Sequence, residues 1–252
     1  MKRNFFSIIL VLLMTVLLGG CSGITTPIPT TDANFNVQFP EGYETDASNM
    51  LAWANQVVYT LQKSFSDFLD VIDSRILIII KDTGDPSHAS ADPANVLITF
   101  VAPSVAVEEN DYYDEDYYIG NIAHELGHIY FYRIRNLTSG YLWSDVPSWF
   151  HEGFSEYLKL LALGEQCFDG KYHWYLPEIP NIIAYGIAGI SNVYAGGSWV
   201  LRFIDSEFGI DTIKAIITSK QSIFLAALTE ATNLTLAQFE EQLKEWLKER
   251  AT

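Results

Sequence analysis

The chain of 252 residues has only two cysteines, Cys21 and Cys167. A disulfide framework is therefore excluded, and at most one bridge could form. Basic residues are also scarce: 15 Lys and Arg stand against 31 Asp and Glu, a formal charge of −16. A surface so acidic argues against nucleic-acid partners and against electrostatic binding to anionic lipid. Long apolar runs are lacking too. The most apolar stretch, Phe5 to Leu18, has fourteen residues and is too short for a comfortable bilayer span. What is plentiful is core material. Hydrophobic residues make up 49% and aromatics 14% of the chain, enough for one good-sized domain.

The first residues do not read as part of that domain. Lys2 and Arg3 precede the apolar run, which ends in Leu18-Gly19-Gly20-Cys21. This order resembles a bacterial lipoprotein signal, in which the cysteine is lipidated and becomes the new N-terminus. The alternatives are a plain secretory signal or a short anchor. The resemblance implies a signal peptide over residues 1–20, lipidation of Cys21, and a place at the bacterial cell envelope, tethered to a membrane by lipid. Cleavage there would remove two basic residues and no acid, taking the charge from −16 to −18. Cys167, beside Phe168, would then have no partner and reads as a packing residue. Residues 21–46, rich in Thr, Pro, Asn and Gly, read as a flexible tether. The domain is expected over 47–252.

Within it, apolar positions from Met50 to Leu69 follow one helical face, with Asp46 or Ser48 as cap. Arg75 to Lys81 and Asn95 to Val101 are short apolar runs that predict strands, and the Gly- and Pro-bearing stretch between them predicts a loop containing His88. The acidic segment Glu108 to Asp116 lacks the fixed glycine and terminal glutamate of an EF-hand loop. It reads as a turn whose last acids favour the positive end of the next helix, capped by Asp114 or Asp116.

That helix, expected over Tyr117 to Arg133, contains His124-Glu125-Leu126-Gly127-His128. Residues four apart share a helix face, so the two imidazoles can aim at one point. A tetrahedral zinc site needs two such nitrogens, a third protein ligand and an open position. Glu125 lies about 100° round the helix and can reach water at that open position as general base. Two histidines on a half-buried face, with no metal, would also fit this short motif.

The third ligand is sought downstream. After Pro147 the chain reads Trp149-Phe150-His151-Glu152-Gly153-Phe154-Ser155-Glu156-Tyr157. This resembles the second zinc motif of the gluzincins, particularly the peptidase-MA-like and aminopeptidase-N-like families. The resemblance covers roughly Arg75 to the C-terminus and is specific at the two zinc motifs. It implies an α+β, zincin-like metallopeptidase fold with a small N-terminal sheet over a mainly helical body, and Glu152, 24 residues after His128, as third ligand. It also implies Zn2+ as cofactor and a peptide or protein as substrate. Glu156, one turn after Glu152, can accept the outer N–H of a ligand histidine, or be a surface acid. His151 is rejected as a ligand, because it adjoins Glu152 and only one of the two can face the metal. A three-histidine site is absent too, since Ile129 to Ile134 contains neither glycine nor histidine.

Val193-Tyr194-Ala195-Gly196-Gly197 looks like the families' helix whose tyrosine donates to the oxyanion, which makes Tyr194 a candidate; packing on the glycines is the alternative. Leu234 to Leu247 predicts a closing scaffold helix, and Tyr172-His173-Trp174-Tyr175 either lines the cleft or packs. The strand at Asn95 to Val101 lacks the Gly-x-Met-x-Asn motif that anchors a free amine in the aminopeptidases. Endopeptidase chemistry is therefore expected rather than exopeptidase. A surface lipoprotein that uses the same fold only for binding is the alternative. Nothing in the sequence gives an oligomeric state.

Overall fold

The structure is a computed structural model that describes residues 30–31, 34–69, 75–109, 112–164 and 176–250. Cys21, Cys167 and the cluster Tyr172 to Tyr175 lie outside the described residues. The architecture is α+β and mainly helical, with one small sheet. Among the described residues no helix is long and apolar enough to cross a membrane.

The sheet has the order β1-β2-β3-β5-β4, from β1 (Thr30–Thr31), β2 (Phe35–Gln38), β3 (Ile76–Lys81), β4 (Ser90–Asp92) and β5 (Leu97–Val101). Its centre, β2-β3-β5, is parallel, and both edges are antiparallel. In β3, Ile76, Ile78 and Ile80 are buried while Leu77 and Ile79 are only partly covered. The unbroken apolar run therefore serves one packed face and one half-covered face.

Two expectations need correction here. Residues 35–46 are not tether: Phe35 and Val37 are fully buried and β2 pairs with β3 in register. The stretch escaped notice because only two apolar residues alternate with Asn36 and Gln38. In addition, the stretch between the two predicted strands is not all loop: it holds β4, the edge strand beside β5. Three residues, one of them alanine, give no usable alternation.

Helix α1 (Glu44–Leu69) buries Met50, Ala54, Val57, Val58, Leu61 and Phe65, the spacing of one face, and kinks at Phe65. It begins before Asp46, which does a different job from the one expected. The Asp46 carboxylate is buried and accepts from the backbone N–H (3.1 Å) and hydroxyl (2.5 Å) of Ser104 in α2 (Pro103–Glu109). Helix α3 (Glu115–Leu137) starts as its sequence predicts. Asp114 is the N-cap and accepts from the Tyr117 N–H at 3.0 Å, with Glu115 and Asp116 in the first turn.

After a 3-10 turn (Trp143–Asp145), Pro147 leads into α4 (Ser148–Leu163). Helix α5 (Glu178–Tyr185) and a second 3-10 turn (Gly186–Gly189) precede α6 (Val193–Phe208), α7 (Ile210–Thr218), α8 (Phe224–Thr232) and α9 (Leu236–Lys248). Asn192 caps α6 through Tyr194 and Ala195 N–H, and Thr235 caps α9 in a capping box with Gln238.

The helical body is built around α4, which packs most extensively against α3 and α6. Glycines make both contacts possible. A Cβ on Gly127 of α3 would stand 2.7 Å from the Ser155 Cα, and one on Gly153 of α4 would stand 2.5 Å from the Gly197 carbonyl carbon. At these two crossings backbone meets backbone, which brings the faces carrying His124, His128 and Glu152 together.

Candidate metal centre

Helix α3 carries His124 and His128, and α4 carries Glu152. The two Nε2 atoms are 3.2 Å apart. Glu152 Oε2 lies 3.5 Å from the first and 3.3 Å from the second. It is buried and meets no donor in hydrogen-bonding geometry. Three ligand atoms thus face one another around a common point, and this group could hold a metal ion. The fit can be tested by geometry. Ligands about 2.0–2.1 Å from a tetrahedral centre stand roughly 3.3–3.4 Å apart. The observed separations of 3.2, 3.3 and 3.5 Å fall around that figure. The donor set of two imidazoles and a carboxylate suits zinc and leaves a fourth position open.

The electrostatics follow from this crowding. Burial disfavours the imidazolium of His124, but Glu152 and Glu156, with Glu125 nearby, outweigh it and push the pKa up to about 9. Burial opposes ionisation of Glu152, and the two imidazoles outweigh that in turn, holding the carboxyl far below its usual range. In effect a proton stands in for part of a cation's charge. Metal and proton compete for the same lone pairs.

The outer face of His124 is also engaged. Its Nδ1 is 2.8 Å from Oε2 of Glu156, whose side chain is almost wholly buried. Of the two roles open to Glu156, the surface acid is therefore excluded. His151 takes no part in the ligand group. Its Nδ1 is 3.5 Å from the other oxygen of Glu152, and its ring packs against Trp143 with centroids 4.9 Å apart. Burial lowers its pKa; Glu152 opposes that, and His128 and His124 add to it.

A cleft of about 250 Å³ opens beside the group, lined by His124, Glu125, Glu156, Asn121, Tyr194 and Lys159, with Ser87 to Ala89 on the sheet side. Glu125 is 6% exposed. Tyr194, at the start of α6, is more open, and its ring centroid is 5.7 Å from that of His124. Burial raises its pKa, and Glu152, Glu125 and Glu156 raise it further, so the phenol stays neutral. A larger cavity of about 380 Å³, lined by residues including Tyr157, Arg202 and Trp246, shares no residue with this cleft.

Every described candidate residue thus falls at one place: His124, His128 and Glu152 as the group, with Glu125, Glu156 and Tyr194 around it. Among the cleft residues that escaped the sequence reading are two that can carry charge. His88, taken as a solvated loop residue, lines the cleft, although its side chain is largely exposed and paired with Asp85 at 3.0 Å. Lys159, one turn beyond Glu156, was not considered. Its signal was the Glu156/Lys159 spacing, an acid and a base one turn apart. No protein-family model matches the chain, and no curated protein shows significant similarity to it.

Proposed function

We propose that the protein is a zinc-dependent peptidase of the gluzincin, peptidase-MA-like kind, with His124, His128 and Glu152 as ligands and Glu125 as general base. One observation carries the reading. Three ligand atoms from two helices stand 3.2–3.5 Å apart, and a further carboxylate, Glu125, is buried in the wall of the adjoining cleft. A small sheet against a helical body fits a zincin-like architecture.

Zinc in this group would supply Lewis acidity, polarising a carbonyl and making water acidic near neutral pH. Glu125 would receive a proton on its carboxylate and return it to the leaving nitrogen. Tyr194, neutral at its hydroxyl, would donate a hydrogen bond to the developing oxyanion. Glu156 would keep the proton of His124 on Nδ1, leaving Nε2 for the metal. The edge strand β4 would pair with an extended peptide. Lipid on Cys21 would hold the enzyme at a bacterial envelope membrane, and peptides or proteins there would be its substrates.

The test is a peptide-library cleavage profile with blocked and free N-termini. Wild type is expected to cut blocked peptides, and Glu125→Gln to retain zinc while losing about 10²–10⁴ in kcat/KM. Zinc-loaded wild type with no cleavage above Glu125→Gln would instead favour a binding lipoprotein.

A further inference from the structure

Lysine is among the residues least often buried, yet Lys159, in the body of α4, is only 8% exposed. Its aliphatic stem runs across α3 at Gly120. A Cβ there would stand 3.2 Å from both Cγ and Cε of the lysine, so the glycine makes the channel in which the stem lies. The ammonium at its end is 3.2 Å from Oε1 of Glu156. The other oxygen of that carboxylate, Oε2, is 2.8 Å from Nδ1 of His124. One buried carboxylate therefore spans an ammonium and an imidazole.

We propose that Lys159 is a positioning residue of the metal centre, fixing Glu156 so that His124 presents Nε2 to a divalent cation. The inference rests on the metal-binding reading above and extends it one link outward. A carboxylate engaged through one oxygen can turn about its last bond. Engaged through both, it holds a set direction, and so does the ring that donates to it. The ammonium is itself guided by the Gly120 channel. Exposed pairs of this spacing contribute little, because water and side-chain freedom offset them. Neither condition applies here, since the Lys159 and Glu156 side chains are 11% and 3% exposed.

The experiment reads metal affinity rather than catalysis. Full-length protein is stripped with chelator and titrated with Zn2+ against a chromophoric competitor. Lys159→Met is expected to bind zinc about tenfold more weakly, and Glu156→Gln about 10–100-fold more weakly. The double variant should match Glu156→Gln to within about twofold, because the lysine acts only through the carboxylate. Lys159→Arg should restore most of the loss. With Co2+ in place of zinc, the visible bands of Lys159→Met should shift, which a purely structural role would not cause. Wild-type zinc affinity in a folded Lys159→Met, or independent losses that multiply in the double variant, would overturn the proposal and leave the metal centre standing. Wild-type protein that binds neither Zn2+ nor Co2+ would overturn both. Should Lys159→Met not fold, Lys159→Gln removes the charge and keeps a polar end; a several-fold loss is expected, and unchanged affinity would overturn the proposal.

Discussion

His124 is the residue on which the charges of the site converge, and its protonation in the metal-free protein has a sign that can be worked out. Burial works against the imidazolium, but the surrounding carboxylates raise its pKa from 6.5 to about 9. A raised pKa contributes stability in full below about pH 6.5, and that contribution is lost as pH rises through about 9. Glu152 is the converse. Its lowered pKa contributes above the usual 4.5 and fades as pH falls below that value. The melting temperature of chelator-treated wild type should therefore exceed that of His124→Ala most between about pH 4.5 and 6.5, with the gap closing towards pH 9. A gap that widens with alkalinity would contradict the arrangement. Near neutrality zinc should release about one proton on binding, measurable by calorimetry in buffers of different ionisation enthalpy. The phenol of Tyr194 gives a second prediction. Tyr194→Phe should lower kcat about 10²-fold with little change in KM. The candidate ligands, the proposed base and this phenol were legible in the sequence because each sits in a short motif with fixed spacing. Lys159 was not, because its burial depends on a channel made by Gly120, 39 positions earlier on another helix.

At the scale of elements, what was legible had a strong period or a local cap. Helix α3 was found through Asp114 and the run after it, α4 through Pro147, and α9 through the apolar spacing from Leu234 to Leu247. The short elements β2, β4 and α2 were missed because tertiary partners decide them. β2 is a strand because β3 offers it a parallel ladder, and α2 is capped by Asp46, 58 positions away. The glycine crossings of α4 are the elements' weak points. Gly153→Ala would force α4 and α6 apart where backbone now meets backbone. Overpacking of this kind typically costs about 1–3 kcal/mol. A lower midpoint in urea is expected, together with weaker zinc binding, because the displacement moves Glu152 relative to α3. An unaltered midpoint would show that the crossing is looser than the geometry implies.

For the whole molecule, stability can be tested at the proposed metal site and at the sheet. Zinc at about a thousand times its dissociation constant should add roughly 4 kcal/mol to stability, read as a rise in melting temperature. Deleting residues 1–40 should give a chain that neither folds nor binds zinc, since it removes Phe35 and Val37 from the core. The two ends of α3 carry a further consequence. Near its start the Tyr117 hydroxyl donates to the Pro86 carbonyl, fastening the segment that leads to His88. Near its end Arg135 gathers the carbonyls of Ile217, Ser219 and Tyr141, fastening the segment that leads to Trp143. The segments that lead to His88 and to Trp143 are thus both tied to the helix that bears the two histidines. Two segments tied to one helix share its position, which sets their distance from His124 and His128.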